Sequence, residues 1–125
     1  MSGPDSVAEV RVAAAAADAA RATPGVARLQ PGLWGLVQQL GRDAWTRLTA
    51  RPYPDVAGVE VGLDAGTTTI DIALVCDGRI PAAVVAGDVQ RNVHRAVLAT
   101  CSIAPTRIAV HVVDIAPPAQ ESQLD

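Results

Sequence analysis

Phenylalanine is absent from this chain of 125 residues, aromatic residues make up only 2% of it, and all ten basic residues are arginine. Half of the residues are apolar, and alanine and valine carry most of that half, so any core must be built from small aliphatic side chains. That is enough material for one core and too little length for two domains. The arginine, alanine and valine bias is that of GC-rich bacterial coding. No apolar run approaches the roughly 18 residues of a membrane span, so direct membrane insertion is not expected. Met1-Ser-Gly-Pro-Asp5 shows no basic segment followed by an apolar one, which points to the cytoplasm, where Cys76 and Cys101 stay reduced. The two histidines form no metal-spaced pair, and no Gly-x-Ser-x-Gly or Cys-x-x-Cys occurs. No catalytic residue, metal or cofactor is therefore assigned. A net charge of −3 argues against nucleic acid as a partner.

Residues 1–5 read as a flexible lead. Ser6 to Thr23 is alanine-rich and free of proline and glycine, which predicts a helix stopped by Thr23-Pro24-Gly25. Gly25 to Leu29 reads as a short extended segment closed by Gln30-Pro31-Gly32. Leu33, Leu36, Val37, Leu40, Ala44 and Leu48 recur at helical spacing, weakened by Gly35 and Gly41 and ended by Pro52 and Pro54. Val59, Val61 and Leu63 alternate with Glu60 and Gly62, and Ile70, Ile72, Leu74 and Cys76 alternate with Asp71, Ala73 and Val75. With Asp64-Ala-Gly66 between them, these runs predict a β-hairpin over about 59–76, half-buried. Ile80-Pro81 opens a helix whose Ala82, Val85, Val89, Val93, Ala96, Val97 and Cys101 face one way, while Asp88, Arg91, Asn92, His94 and Arg95 face elsewhere. Ile108, Val110 and Val112 alternate in a last strand ended by Pro117-Pro118, and residues 116–125 read as a disordered tail. The expected fold is α+β: a sheet of three to four strands with helices on one face, a single domain over residues 6–115.

Gly62-Leu-Asp64-Ala-Gly66-Thr67-Thr68-Thr69-Ile-Asp71 looks like the first phosphate loop of sugar-kinase, heat-shock and actin-type ATPases. There glycine admits the phosphate and hydroxyls donate to it, which would give Asp64, Gly66, Thr67 and Thr68 that role. The second phosphate loop, the adenosine pocket and the two lobes of such an ATPase are missing, and a hairpin turn followed by strand-forming threonines accounts for the same residues. Asp71 and His111 fit a surface ion pair. Arg91 and Arg95, one turn apart with His94 between them, could hold an anion or a partner. Trp34 and Trp45, on a marginal helix, are the other candidate partner-binding residues.

Taken in order, the segments resemble the alkaline-shock or general-stress family of envelope stress response proteins over roughly residues 7–115. The resemblance lies in Pro24-Gly25-Val26, Gly58-Val59-Glu60-Val61, Ile70-Asp71-Ile72-Ala73-Leu74-Val75, Ile80-Pro81, Val89-Gln-Arg91-Asn-Val93-His-Arg95-Ala-Val97 and Val110-His-Val112-Val-Asp114-Ile115. The Asp64-Ala-Gly-Thr turn departs from the family pattern. The resemblance implies a non-enzymatic, cytoplasmic binding or scaffold protein that gathers at the membrane through a membrane-anchored protein partner and self-associates as a homo-oligomer. Two other readings compete with it. One is a nucleotide-binding fragment of an ATPase; the other is a small-molecule or RNA-binding α+β module, whose RNA form lacks an aromatic stacking platform.

Overall fold

The computed structural model describes residues 2–30 and 56–116, with side chains described from residue 7 onward. The helix expected over 33–49, with Trp34 and Trp45, lies outside the described residues, as does the tail from residue 117. Helix α1 spans Ser2–Arg21, followed by strands β1 (Val26–Leu29), β2 (Val59–Asp64) and β3 (Thr67–Cys76). Helix α2 (Ala82–Cys101) and strand β4 (Arg107–Ile115) complete the described fold. The first helix thus starts four residues earlier than its alanine run, taking in residues assigned to a flexible lead. Pro4 is compatible with this because a first helical turn needs no proline N–H. At its other end the Thr23 N–H donates to the Ala20 carbonyl (3.1 Å) and the Thr23 hydroxyl to the Ala19 carbonyl (2.9 Å). Carbonyls of the last turn are thereby satisfied where Pro24 forbids continuation.

Strand β3 is the centre of a mixed four-stranded sheet. On one edge, β2 pairs antiparallel with its first half (Asp64 opposite Thr67, Val59 opposite Ile72), and β1 pairs antiparallel with its end (Leu29 opposite Leu74). On the other edge β4 runs parallel, from Arg107 beside Thr69 to Ile115 beside Cys76, with a register shift between Leu74 and Val75. Parallel neighbours need a crossover, and α2 supplies it. The expected α+β class, the hairpin and the helix-covered sheet are therefore all present.

The core lies between sheet and helices. Val59, Ile70, Ile72, Leu74 and Cys76 meet the valine stripe Val85, Val89, Val93 and Val97 of α2 and the alanine face of α1, Ala13, Ala16, Ala17 and Ala20. Valines at spacings of four stand on one side of α2, so burial follows directly from the 3.6-residue period. Ala73 and Val75 are buried as well. The alternation expected of a half-buried strand therefore gives way in the last part of β3. Gly25 shows how close the layers come: with φ of +95°, a Cβ there would stand 2.6 Å from a Val85 methyl.

The β2–β3 turn has two central residues with positive φ, Ala65 at 47° and Gly66 at 84°. This is the sign pattern of the type I′ turn that suits the twist of a two-residue hairpin. Alanine in the left-handed region costs roughly 1–2 kcal/mol, and asparagine tolerates that region better. Ala65→Asn should therefore stabilise the protein by about 0.5–1 kcal/mol, read as a higher urea midpoint at unchanged m-value. An unchanged or lowered midpoint would show that the turn carries no such strain.

Candidate functional site

Helix α2 carries its polar residues on the side away from the valine stripe. Arg91, His94 and Arg95 are exposed there, and the Arg91 guanidinium is paired with the Asp88 carboxylate one turn earlier. Because β4 returns parallel beside β3, its start comes to lie next to this flank. Gln90, Arg91, His94, Arg95, Pro105, Thr106 and Ile108 together line a shallow open depression of ≈520 Å³. The Gln90 side-chain amide donates to the Ile108 carbonyl at 2.9 Å, which ties helix to strand. Pro105 and Ile108 contribute apolar lining, and Arg91 and Arg95 make the lining cationic. Two guanidiniums with one nearby carboxylate leave a net positive surface that suits a carboxylate or another anion.

The opposite face of the sheet holds a second polar group. His111 Nε2 lies 3.3 Å from Asp71 Oδ1, and Arg107 stands 4.0 Å from the same oxygen. Glu60 is directly opposite Asp71 in the β2–β3 ladder. Like charges so placed repel, and the two basic partners of Asp71 offset that repulsion. The His111 and Arg107 side chains are 51% and 61% exposed, so water screens these pairs and each is worth at most about 1 kcal/mol. The arrangement stabilises the sheet locally.

The residues of the phosphate-loop reading sit at the tip of the β2–β3 hairpin. Asp64, Gly66 and Thr67 are exposed, whereas Thr68 is buried. The Thr68 N–H donates to the Thr106 hydroxyl oxygen at 3.2 Å. Successive strand residues face opposite ways, so the Thr67 and Thr68 hydroxyls do not converge. Nothing stands within 4 Å of a Cβ built on Gly66, and no described element covers the tip.

Of the residues singled out from sequence, the structure brings Arg91, His94 and Arg95 into one depression; Asp64, Gly66, Thr67 and Thr68 do not line it, although Thr68 is hydrogen-bonded to Thr106 of its lining. Trp34 and Trp45 lie outside the described residues. Pro105, Thr106 and Ile108 went unnoticed as site residues. Their sequence signal is only that of a loop leading into a strand, and the parallel return of β4 makes them neighbours of Arg91 and Arg95. Among the described residues no group of three or more histidine, cysteine or acidic side chains could hold a metal. No buried side-chain polar atom there lacks a hydrogen-bond partner. No family model, curated protein or solved structure matches this chain.

Both cysteines are free: Cys76 is fully buried at the end of β3, and Cys101 is partly buried at the end of α2. Burial raises both thiols above the ordinary value of 9.0, with Asp77 adding to the rise at Cys76 and Arg11 opposing it at Cys101. Since the thiolate is the nucleophile, both should alkylate slowly at neutral pH, Cys101 ahead of Cys76. A thiol whose pKa is raised on folding contributes stability below its unfolded pKa and loses it as pH climbs through the folded value. Stability should therefore decline in the alkaline range above 9.0. Iodoacetamide labelling followed by mass spectrometry, with and without urea, checks the order; rapid native labelling of Cys76 would contradict its burial.

Proposed function

We propose that this chain is a non-enzymatic binding or scaffold module of the alkaline-shock type, working at the cytoplasmic side of the cell envelope through a membrane-anchored protein partner. The observation that carries the reading is the α2 flank. It is an open depression with exposed cationic and apolar lining, and small-molecule sites by contrast are concave and enclose most of their ligand. A surface of that shape suits another macromolecule. The order of elements adds support, because the segments that carry the family resemblance are the ones this fold is built from. Gly25 lies against Ile80 and Val85, Ile70 and Ile72 form the sheet centre, and Val89, Val93 and Val97 form the helix stripe.

Among the described residues no helix is long and apolar enough to cross a membrane. In this reading, contact with the membrane is therefore supplied by the partner. The purified protein should stay in the supernatant when mixed with protein-free liposomes, yet be recovered partly with membranes from its own cells and co-purify there with membrane proteins. Fractionation of native cells under normal and envelope-stress conditions, beside the liposome assay, measures both. Tight liposome binding, or absence from every native membrane fraction, would remove the reading. Calorimetric titration with Mg-ATP should give no saturable heat in the micromolar range; saturable binding abolished by Asp64→Ala would favour the ATPase-fragment reading instead.

A further inference from the structure

Beside the basic flank of α2 runs an edge of the sheet that no described strand covers. The outward groups of that edge can be assigned from the ladder. The Ala73 N–H donates to the Gly58 carbonyl, and the Ala73 carbonyl accepts from the Gln30 N–H, both at 2.9 Å. Odd-numbered residues of this part of β3 therefore turn their backbone groups toward β1 and β2, and even-numbered residues turn theirs toward β4. In a parallel ladder such a residue bonds the two neighbours of its partner. Ile70 is partnered by Ile108, Ile72 by Val110 and Leu74 by Val112. Arg107, Ala109 and His111 are thus directed inward, while Ile108, Val110 and Val112 present their N–H and C=O groups to the free edge.

Natural sheets blunt such an edge with proline, lysine, a bulge or a covering element. Here β4 has no proline or lysine, and its only irregularity is the register shift near Asp114. The Gln90 amide closes the first outward carbonyl, that of Ile108, and among the described residues no strand pairs with Val110 and Val112 on this side. Val113 and Ile115 are 52% and 53% exposed at the far end of the same strand. The helix side of this edge is overlooked by Arg91, His94 and Arg95, which share the depression with Ile108.

We propose that the β4 edge and the α2 flank form one strand-addition site for an extended acidic segment of a partner protein. The segment pairs its backbone with Val110 and Val112 and places alternate carboxylates under Arg91 and Arg95. Main-chain pairing supplies affinity in this mode, and side chains on one face of the added strand supply the choice of partner. Charge complementarity selects the occupant: the Arg95 fork, and the donors of Arg91 that its pairing with Asp88 leaves over, match carboxylates. The basic patch is small, two arginines beside one aspartate, which disfavours a nucleic-acid strand or an anionic membrane, both of which reward a large basic surface. The site deepens the binding-module reading without depending on where in the cell the partner resides.

The test is amide exchange and chemical-shift mapping by NMR on the full chain, with the capped peptide acetyl-Thr-Glu-Val-Glu-Val-Glu-Thr-amide as probe. The probe should slow exchange at Val110 and Val112 and shift the signals of Arg91 and Arg95. The same peptide N-methylated at alternate residues, in the set that pairs, should lose binding with the protein untouched. A probe with lysine for glutamate should bind roughly tenfold or more weakly, as should the Arg91→Glu/Arg95→Glu variant. Arg95→Gln, a milder change at an exposed position, should give an intermediate loss at an unchanged melting temperature. The proposal is overturned if Val110 and Val112 are already protected in the free protein, since the chain then covers its own edge. It is equally overturned if the N-methylated or lysine probe binds as well as the acidic one, if the shifts map elsewhere or are absent at millimolar probe, or if phosphatidylglycerol vesicles displace the probe from these residues. Native-cell fractionation is independent of these outcomes, so loss of the edge site and loss of the envelope reading can be told apart.

Discussion

The packing of the α2 valines onto the β3 side chains is the contact on which the rest of the molecule depends. Phenylalanine is absent from the chain and no tryptophan or tyrosine occurs among the described residues, so there the layers must approach until small side chains touch. Ala13, Ala16, Ala17 and Ala20 let α1 settle beside α2 and over the sheet, and the missing side chain of Gly25 admits the Val85 methyl. Dispersion falls steeply with distance, so a core of alanine and valine stabilises only when such approaches are made throughout. Fully buried valines and isoleucines contribute on the order of 1.5–3 kcal/mol each. Of the eleven largest fully buried side chains among the described residues, nine stand on α2 or β3, and Val12 of α1 and Val59 of β2 complete the set.

That packing also decides where polar chemistry can stand. Once one side of α2 is committed to the sheet, its remaining side carries Asp88, Arg91, His94 and Arg95 outward, and the crossover geometry brings the start of β4 beneath them. The Asn92 amide bridges to the Thr23 hydroxyl at 3.0 Å, fastening the middle of α2 to the end of α1. Thr23 itself is 2% exposed, and this bond together with its own bond to Ala19 satisfies it. The surface read as a binding flank is thus held on a rigid pair of helices, which lowers the ordering cost of any partner that docks there.

Polar residues sort into structural and surface roles by the same logic. Asp71 gathers His111 and Arg107 on the outer face of the sheet, where solvent weakens each pair and where they chiefly relieve the repulsion from Glu60. Thr68, by contrast, is buried and its N–H meets Thr106 across the parallel pair. A glycine- and threonine-rich string that looked like a phosphate loop therefore divides by strand alternation into an exposed turn and a buried ladder residue.

Much of the architecture was legible before any coordinates. Valines at spacings of four, alternation through Ile70, Ile72, Leu74 and Cys76, and the punctuation at Thr23-Pro24-Gly25 and Ile80-Pro81 are local signals, written in the periods of helix and strand. The α+β class and the Asp71–His111 proximity followed from them. The parallel course of β4, the shared use of one β3 edge by β1 and β2, and the burial of Ala73 and Val75 did not, because strand order is set by which faces find partners across the sheet. The helix start at Ser2 lies ahead of the alanine run, because a first turn tolerates Pro4 and alanine content alone does not mark that boundary. Arg91 and Arg95 could be placed on one helix face from their spacing alone. Their neighbours Pro105, Thr106 and Ile108, and the open edge beyond them, exist as a site only because the tertiary structure returns the chain parallel to β3 under α2.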